Sequence, residues 1–125
     1  MTEVAVAHKI LVCDDSMYMR QKIKQALQDA GYEVVGEAET GAEAITKYQE
    51  LTPDLVTMDV VMPEMDGVDA VKAIMQGDAD ARIVMCSAVD QKKLVIAALQ
   101  AGARDFVVKP FEHSRLLEAV ERALG

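Results

Sequence analysis

Lys9-Ile10-Leu11-Val12-Cys13-Asp14-Asp15 is a short, mostly apolar run stopped by two adjacent acids, and its reading decides the fold. A strand with almost no polar alternation is buried on both faces, which is the habit of parallel sheets covered by helices. The same kind of run returns as Glu33–Glu37, Leu55–Met58, Arg82–Cys86 and Asp105–Val108. Between these runs the apolar residues change to helical spacing.

Met19, Ile23, Ala26, Leu27 and Ala30 predict a first helix closed by Gly31, where a left-handed cap is wanted. Ala44, Ile45, Tyr48 and Leu51 predict a second, stopped by Pro53, and Val68, Val71, Ile74 and Met75 a third, stopped by Gly77. A fourth runs from about Lys92 to Ala101 before Gly102. A fifth carries Leu116, Leu117, Val120 and Leu124 after the break at Pro110. The expected architecture is α/β, (βα)5: a doubly wound five-stranded parallel sheet with helices on both faces.

Composition agrees with one ordinary domain. The chain has 125 residues, 51% hydrophobic and 27% charged, so it holds enough apolar material for a single core. A formal charge of −8 argues against direct binding of nucleic acid, which is held chiefly by Lys and Arg. No apolar run reaches the roughly 20 residues of a bilayer span, and Met1-Thr2-Glu3-Val4 lacks the basic flank of a secretory signal. A cytoplasmic place without membrane insertion is expected. Cys13 and Cys86 each end an apolar run and are expected as buried thiols. His8 and His113 have no partner at metal spacing and are expected on the surface.

Function in an open α/β sheet collects at the carboxyl ends of the strands. The residues found there are Asp14 and Asp15, Asp59, Ser87 and Lys109. Taken singly each has an ordinary explanation: acids at a helix start, a turn aspartate before Pro63, a loop hydroxyl, a solvated lysine. Together they place three carboxylates on one rim, where mutual repulsion calls for a counter-charge from Lys109 or a bound cation. Mg²⁺ suits such a set, because it prefers hard oxygen ligands and is held by one or two carboxylates together with a phosphate. The reading is phosphoryl chemistry: Asp59 accepts the group, Asp14 and Asp15 hold the metal, Lys109 pairs with the phosphoryl or with Asp59, and Ser87 donates to a phosphoryl oxygen.

Four motifs then carry a resemblance: Asp14-Asp15 with Met19-Arg20, Asp59-Val60-Val61-Met62-Pro63-Glu64-Met65-Asp66-Gly67, Cys86-Ser87-Ala88, and Lys109-Pro110-Phe111. On these the chain resembles the response-regulator receiver family, with residues 1–125 as one receiver domain of flavodoxin-like strand order. The resemblance implies Asp59 as phosphoacceptor and a metal site of Asp14, Asp15, Asp59 and the Val61 backbone carbonyl, filled by Mg²⁺ with Mn²⁺ as a substitute. It implies Ser87, the Ala88 backbone, Lys109 and Phe106 as the phosphoryl-binding and switch set, and a cis bond before Pro110. Phe106 lacks the phenolic oxygen of the tyrosine found in well-known chemotaxis members.

By the same resemblance the chain is a phosphoacceptor switch rather than a turnover enzyme. It takes its phosphoryl group from a histidine kinase and loses it slowly, with the apolar Val61 and Val89 beside the site offering nothing to orient water. Output passes through a face of helix four, strand five and helix five, including Lys92, Val107 and Phe111. Wording such as Gln100-Ala101-Gly102-Ala103 is similar to single-domain chemotaxis regulators, which implies the flagellar motor switch as partner. Also weighed are a receiver belonging to a longer regulator, another phosphorelay, a flavodoxin-like electron carrier and an aspartyl phosphatase. Against the carrier, no Ser/Thr/Gly-rich loop follows the first strand, and Asp14-Asp15 would repel an anionic cofactor. Against the phosphatase, no second acid lies two residues beyond Asp59.

Overall fold

In the computed structural model, which describes residues 7–125, five strands alternate with five helices. The stretch Met1-Thr2-Glu3-Val4, read above for a signal, lies outside the described residues. The elements are β1 (Lys9–Cys13), α1 (Met17–Asp29), β2 (Glu33–Ala38), α2 (Gly41–Leu51), β3 (Leu55–Asp59), α3 (Gly67–Gly77), β4 (Ile83–Ser87), α4 (Lys92–Ala101), β5 (Asp105–Val108) and α5 (His113–Leu124). All strand pairs are parallel and the order is β2-β1-β3-β4-β5, so the expected doubly wound sheet is what forms.

Strand period two divides the interior into two cores. Leu11, Val56, Met58, Ile83 and Met85 face α2, α3 and α4, while Ile10, Val12, Leu55, Val84 and Val107 face α1 and α5. The three central strands are apolar on both sides for this reason. The edge strands depart from the expectation of full burial. Most of β2 is only partly covered, and β5 leaves Val108 exposed, because each has a neighbour on one side only.

Boundaries follow local chemistry. Ser16, Thr40 and Asp66 cap α1, α2 and α3, each side chain accepting an amide N–H three residues on. Gly31 (φ 92°) and Gly102 (φ 125°) adopt the backbone that their helix ends were expected to need. Gly77 does not stop α3 but belongs to it. The helix ends at Asp78, whose extended backbone turns the chain and whose carboxylate accepts the Tyr48 hydroxyl of α2 at 2.6 Å.

Strands β3 and β4 each run one residue further than the apolar pattern, to Asp59 and Ser87, while β4 starts at Ile83 rather than Arg82. The ladder continues because Asp59 lies opposite Cys86 and Ser87 opposite Val108. The polar residues of interest are thus the last rungs of the sheet. Beyond β3 the chain folds tightly over its own end: the Gly67 N–H donates to the Val60 carbonyl and the Gly41 N–H to the Met65 carbonyl.

A Cβ at Gly67 would press into the Asp59 carbonyl oxygen, whereas one at Gly77 would meet nothing within 4 Å. Gly67→Ala is therefore expected to lower unfolding stability by about 1–3 kcal/mol, as overpacking does. Gly77→Ala should be neutral or stabilise by about 0.5 kcal/mol. Urea titration of both variants checks this, and equal behaviour of the two would contradict the close packing described.

Candidate functional site

Asp14, Asp15 and Asp59 meet at the carboxyl end of the sheet, their ligand oxygens all within 4.8 Å of one another. Asp14 is fully buried and Asp59 nearly so, while Asp15 is exposed. Neighbouring strands β1 and β3 bring them together, which no spacing in sequence could do alone.

Lys109, just past β5, supplies the nearest positive charge. Its Nζ donates to Asp14 Oδ2 at 2.8 Å and to Asp59 Oδ2 at 3.2 Å. Its own backbone N–H donates to the Ser87 carbonyl at 2.6 Å, fixing the loop from which it reaches. The remaining carboxylate oxygens are served by backbone: Asp14 Oδ1 accepts from the Ser16 N–H at 2.9 Å, and Asp59 Oδ1 from the Val61 N–H at 3.3 Å.

One ammonium does not balance these acids. Burial first, and then the charge of Asp14, push the Asp59 carboxyl up to about 6, against the opposing pull of Lys109 and the Val61 amide. Burial acts to lower the Lys109 ammonium, but its bond to Asp14 and the charges of Asp59 and Asp14 outweigh this and raise it. Lys109 therefore stays charged while Asp59 is held at a cost. The donor set is all oxygen, partly desolvated and short of positive charge, which is what a hard divalent cation requires.

Ser87 is buried at the last position of β4, and the Ala88 N–H after it donates to Gln91 Oε1 at 2.7 Å. Val61, whose N–H donates to Asp59, is exposed at 44%, and Val89, two residues beyond Ser87, at 78%. The Lys109-Pro110 bond is cis. Phe106 is half-buried and lines a cavity of about 350 Å³ with Ser87, Lys92, Val95, Leu99 and Val108.

Two expected output residues are elsewhere. Val107 has no exposed surface and Phe111 only 7%; both sit in the core beneath α1 and α5. Alternation along β5 explains the first, since Phe106 and Val108 point toward α4 and Val107 away from it. Phe111 packs into the same layer, with Lys22 Nζ 5.7 Å from its ring centre. Lys92 is exposed on α4 as expected.

Cys13 and Cys86 are free and buried, and burial pushes the Cys86 thiol up to about 12, so it is inert. Sequence reasoning gave no role to two polar groups of this site. Arg20 is buried, donating from Nη1 to the Asp14 carbonyl at 2.7 Å and from Nε and Nη2 to Glu37 and Glu39, both at 3.1 Å. It clamps the acid pair's loop to β2. The available signal was its place with Ile23 and Leu27 on the otherwise apolar face of α1. Gln91 is the other, hidden because a glutamine before a helix has no strong positional preference.

Asp59 yields a linkage prediction. A carboxyl that titrates higher in the folded state binds its proton more tightly there, so folding stability falls as pH rises from about 4 to about 6. Asp59→Asn removes this term. In chelator the variant should be more stable than wild type by about 1–3 kcal/mol at pH 7.5, with the gap closing below pH ~4. Denaturant titrations across this range test it; a gap that widens toward acid would contradict the crowding of charge.

Residues 10–121 match the family described as response regulator receiver domain. The chain is 58% identical over 120 residues to chemotaxis protein CheY of Bacillus subtilis (strain 168), covering 96% of this chain and 100% of that one. It is 53% identical over 114 residues to CheY of Thermotoga maritima, covering 91% and 95%. A chain in the crystal structure of the CheX-CheY-BeF3-Mg²⁺ complex from Borrelia burgdorferi shares its fold at a TM-score of 0.90 and 33% identity, covering 94% of this chain and 90% of that one. With the acids, the hydroxyl and the lysine of the motif gathered at one sheet edge, this chain belongs to the response regulator receiver family.

Proposed function

We propose that residues 1–125 form one receiver domain of a chemotaxis two-component system, which takes a phosphoryl group on Asp59 from a histidine kinase and changes its binding surface in response. The observation that carries this reading is the Asp59 carboxylate, nearly buried at the end of β3 and bound by Lys109, with an oxygen within 4.8 Å of those of Asp14 and Asp15.

Asp14, Asp15, Asp59 and, by family resemblance, the Val61 carbonyl would hold Mg²⁺, with Mn²⁺ as a substitute. When bound, the ion neutralises charge shared by the carboxylates and the incoming phosphoryl oxygens. An Asp59 oxygen attacks phosphorus as the bond to the donor's imidazole nitrogen breaks, and that nitrogen keeps the electron pair. Lys109 stays charged and faces the oxygens of the transferring group, and Ser87 and the Ala88 N–H donate to them. The chain thus promotes its own phosphorylation.

Loss of the phosphoryl group needs water aimed at phosphorus. By family resemblance Val61 and Val89 stand next to the acceptor; both are exposed and neither side chain has a polar atom, which supports slow self-dephosphorylation. Placing Asn at position 61 and Glu at position 89 should accelerate hydrolysis by about tenfold or more. Decay of the phosphorylated mass in chelator measures this, and an unchanged or slower decay would remove the two valines from the account.

For output, the exposed Lys92, Ile96 and Val108 beside half-buried Phe106 support a binding face built from α4 and β5, without Val107 and Phe111. The similarity to chemotaxis relatives favours the flagellar motor switch as its target, and work in the cytoplasm. Among the described residues no helix is long and apolar enough to cross a membrane.

Incubation with acetyl phosphate and Mg²⁺ followed by intact mass measurement is the test. Wild type should gain one phosphoryl group, and Asp59→Asn or wild type in chelator should gain none. A gain that survives the substitution would overturn the assignment of Asp59. Capture by the N-terminal peptide of the motor switch protein should appear only after phosphorylation.

A further inference from the structure

The Ala88 N–H, which the proposed function needs as a donor to the phosphoryl group, is already engaged. It donates to Gln91 Oε1 at 2.7 Å in a partly buried position. Because an N–H can only donate, it is the oxygen of the carboxamide that faces it, and one proton cannot fully serve two acceptors.

Gln91 also begins α4. Its backbone N–H donates to the Ala88 carbonyl at 3.2 Å, and its own carbonyl accepts from Val95 at 3.1 Å, so the residue belongs both to the loop and to the first helical turn. Ser16, Thr40 and Asp66 turn their side chains forward to cap their helices, but the Gln91 side chain caps nothing. The first turn instead carries Lys92 and Lys93 and no acid, the wrong sign of charge for a helix start. The first turn of α4 therefore lacks a side-chain cap and favourable charge, and its entry residue is tied to Ala88 by two hydrogen bonds, one from the backbone and one from the side chain.

We infer that Gln91 is an off-state latch: its carboxamide occupies the Ala88 N–H until a phosphoryl oxygen displaces it, which releases the first turn of α4. Resting on the phosphoacceptor reading, this deepens it by naming a positioning residue through which occupancy of the site reaches the output helix. A phosphoryl group must compete with the latch, so Gln91 opposes the on-state.

The test is a titration with beryllofluoride, a phosphoryl mimic, in Mg²⁺, followed by amide NMR on wild type, Gln91→Met and Gln91→Glu. Methionine keeps the length of the side chain without a strong acceptor. It should speed solvent exchange of the Ala88 amide in the free protein and tighten beryllofluoride binding about three- to tenfold, the worth of one net hydrogen bond. Glutamate keeps the acceptor and adds repulsion, so it should bind more weakly than wild type. A glutamine that merely supports the loop would lose affinity on replacement by methionine. Unchanged or weaker binding in Gln91→Met, or tighter binding without faster exchange at Ala88, overturns the latch alone. Failure of wild type to bind beryllofluoride, where Asp59→Asn also fails, overturns the phosphoacceptor reading and the latch with it.

Discussion

The ammonium of Lys109, bonded at once to Asp14 and Asp59, is the contact on which the site depends. It spans three parts of the sheet that are far apart in sequence: the end of β1, the end of β3 and the loop after β5. Taking carboxylates out of water is costly, and only a close counter-charge with good geometry makes it tolerable. The sheet supplies that geometry. Parallel strands end on one edge, the Lys109 backbone is fixed to Ser87, and Gly67 lets the chain beyond Asp59 fold back against it without a side chain in the way.

The same contact is incomplete in a useful way. One positive charge faces three carboxylates, so Asp59 is held above its ordinary range, the sense expected where burial and a like charge outweigh a single ammonium. A site in that condition gains from any further cation and, on the proposed function, would gain again from phosphoryl oxygens for that cation and Lys109 to bind. Arg20 contributes from behind, holding the Asp14 loop through its carbonyl and leaving the carboxylate free to face the site.

Much of this could be read from the chain because burial leaves plain marks. Runs such as Ile83-Val84-Met85-Cys86 have no polar alternation, and glycines stand at two of the helix ends that need a left-handed backbone. The acids, Ser87 and Lys109 could be found because the sheet rule says where to look. What stayed hidden depends on direction and on neighbours. Val107 reads like its flanking residues, but the two-residue period turns it to the α1 and α5 side, and Phe111 follows it inward. The incomplete burial of β2 follows from strand order, which no single strand encodes. Arg20 and Gln91 act through backbone groups of Asp14 and Ala88, and which side chain reaches those groups is set by how the loops fold rather than by residue type.

The claim beneath the account is that Asp59 sits in a cradle short of positive charge. The most direct measurement is a carbon NMR titration of the Asp59 carboxyl, with and without Mg²⁺. The account places its midpoint near 6 in chelator and moves it down when the ion is added. A midpoint near 4 that Mg²⁺ leaves unmoved would contradict it.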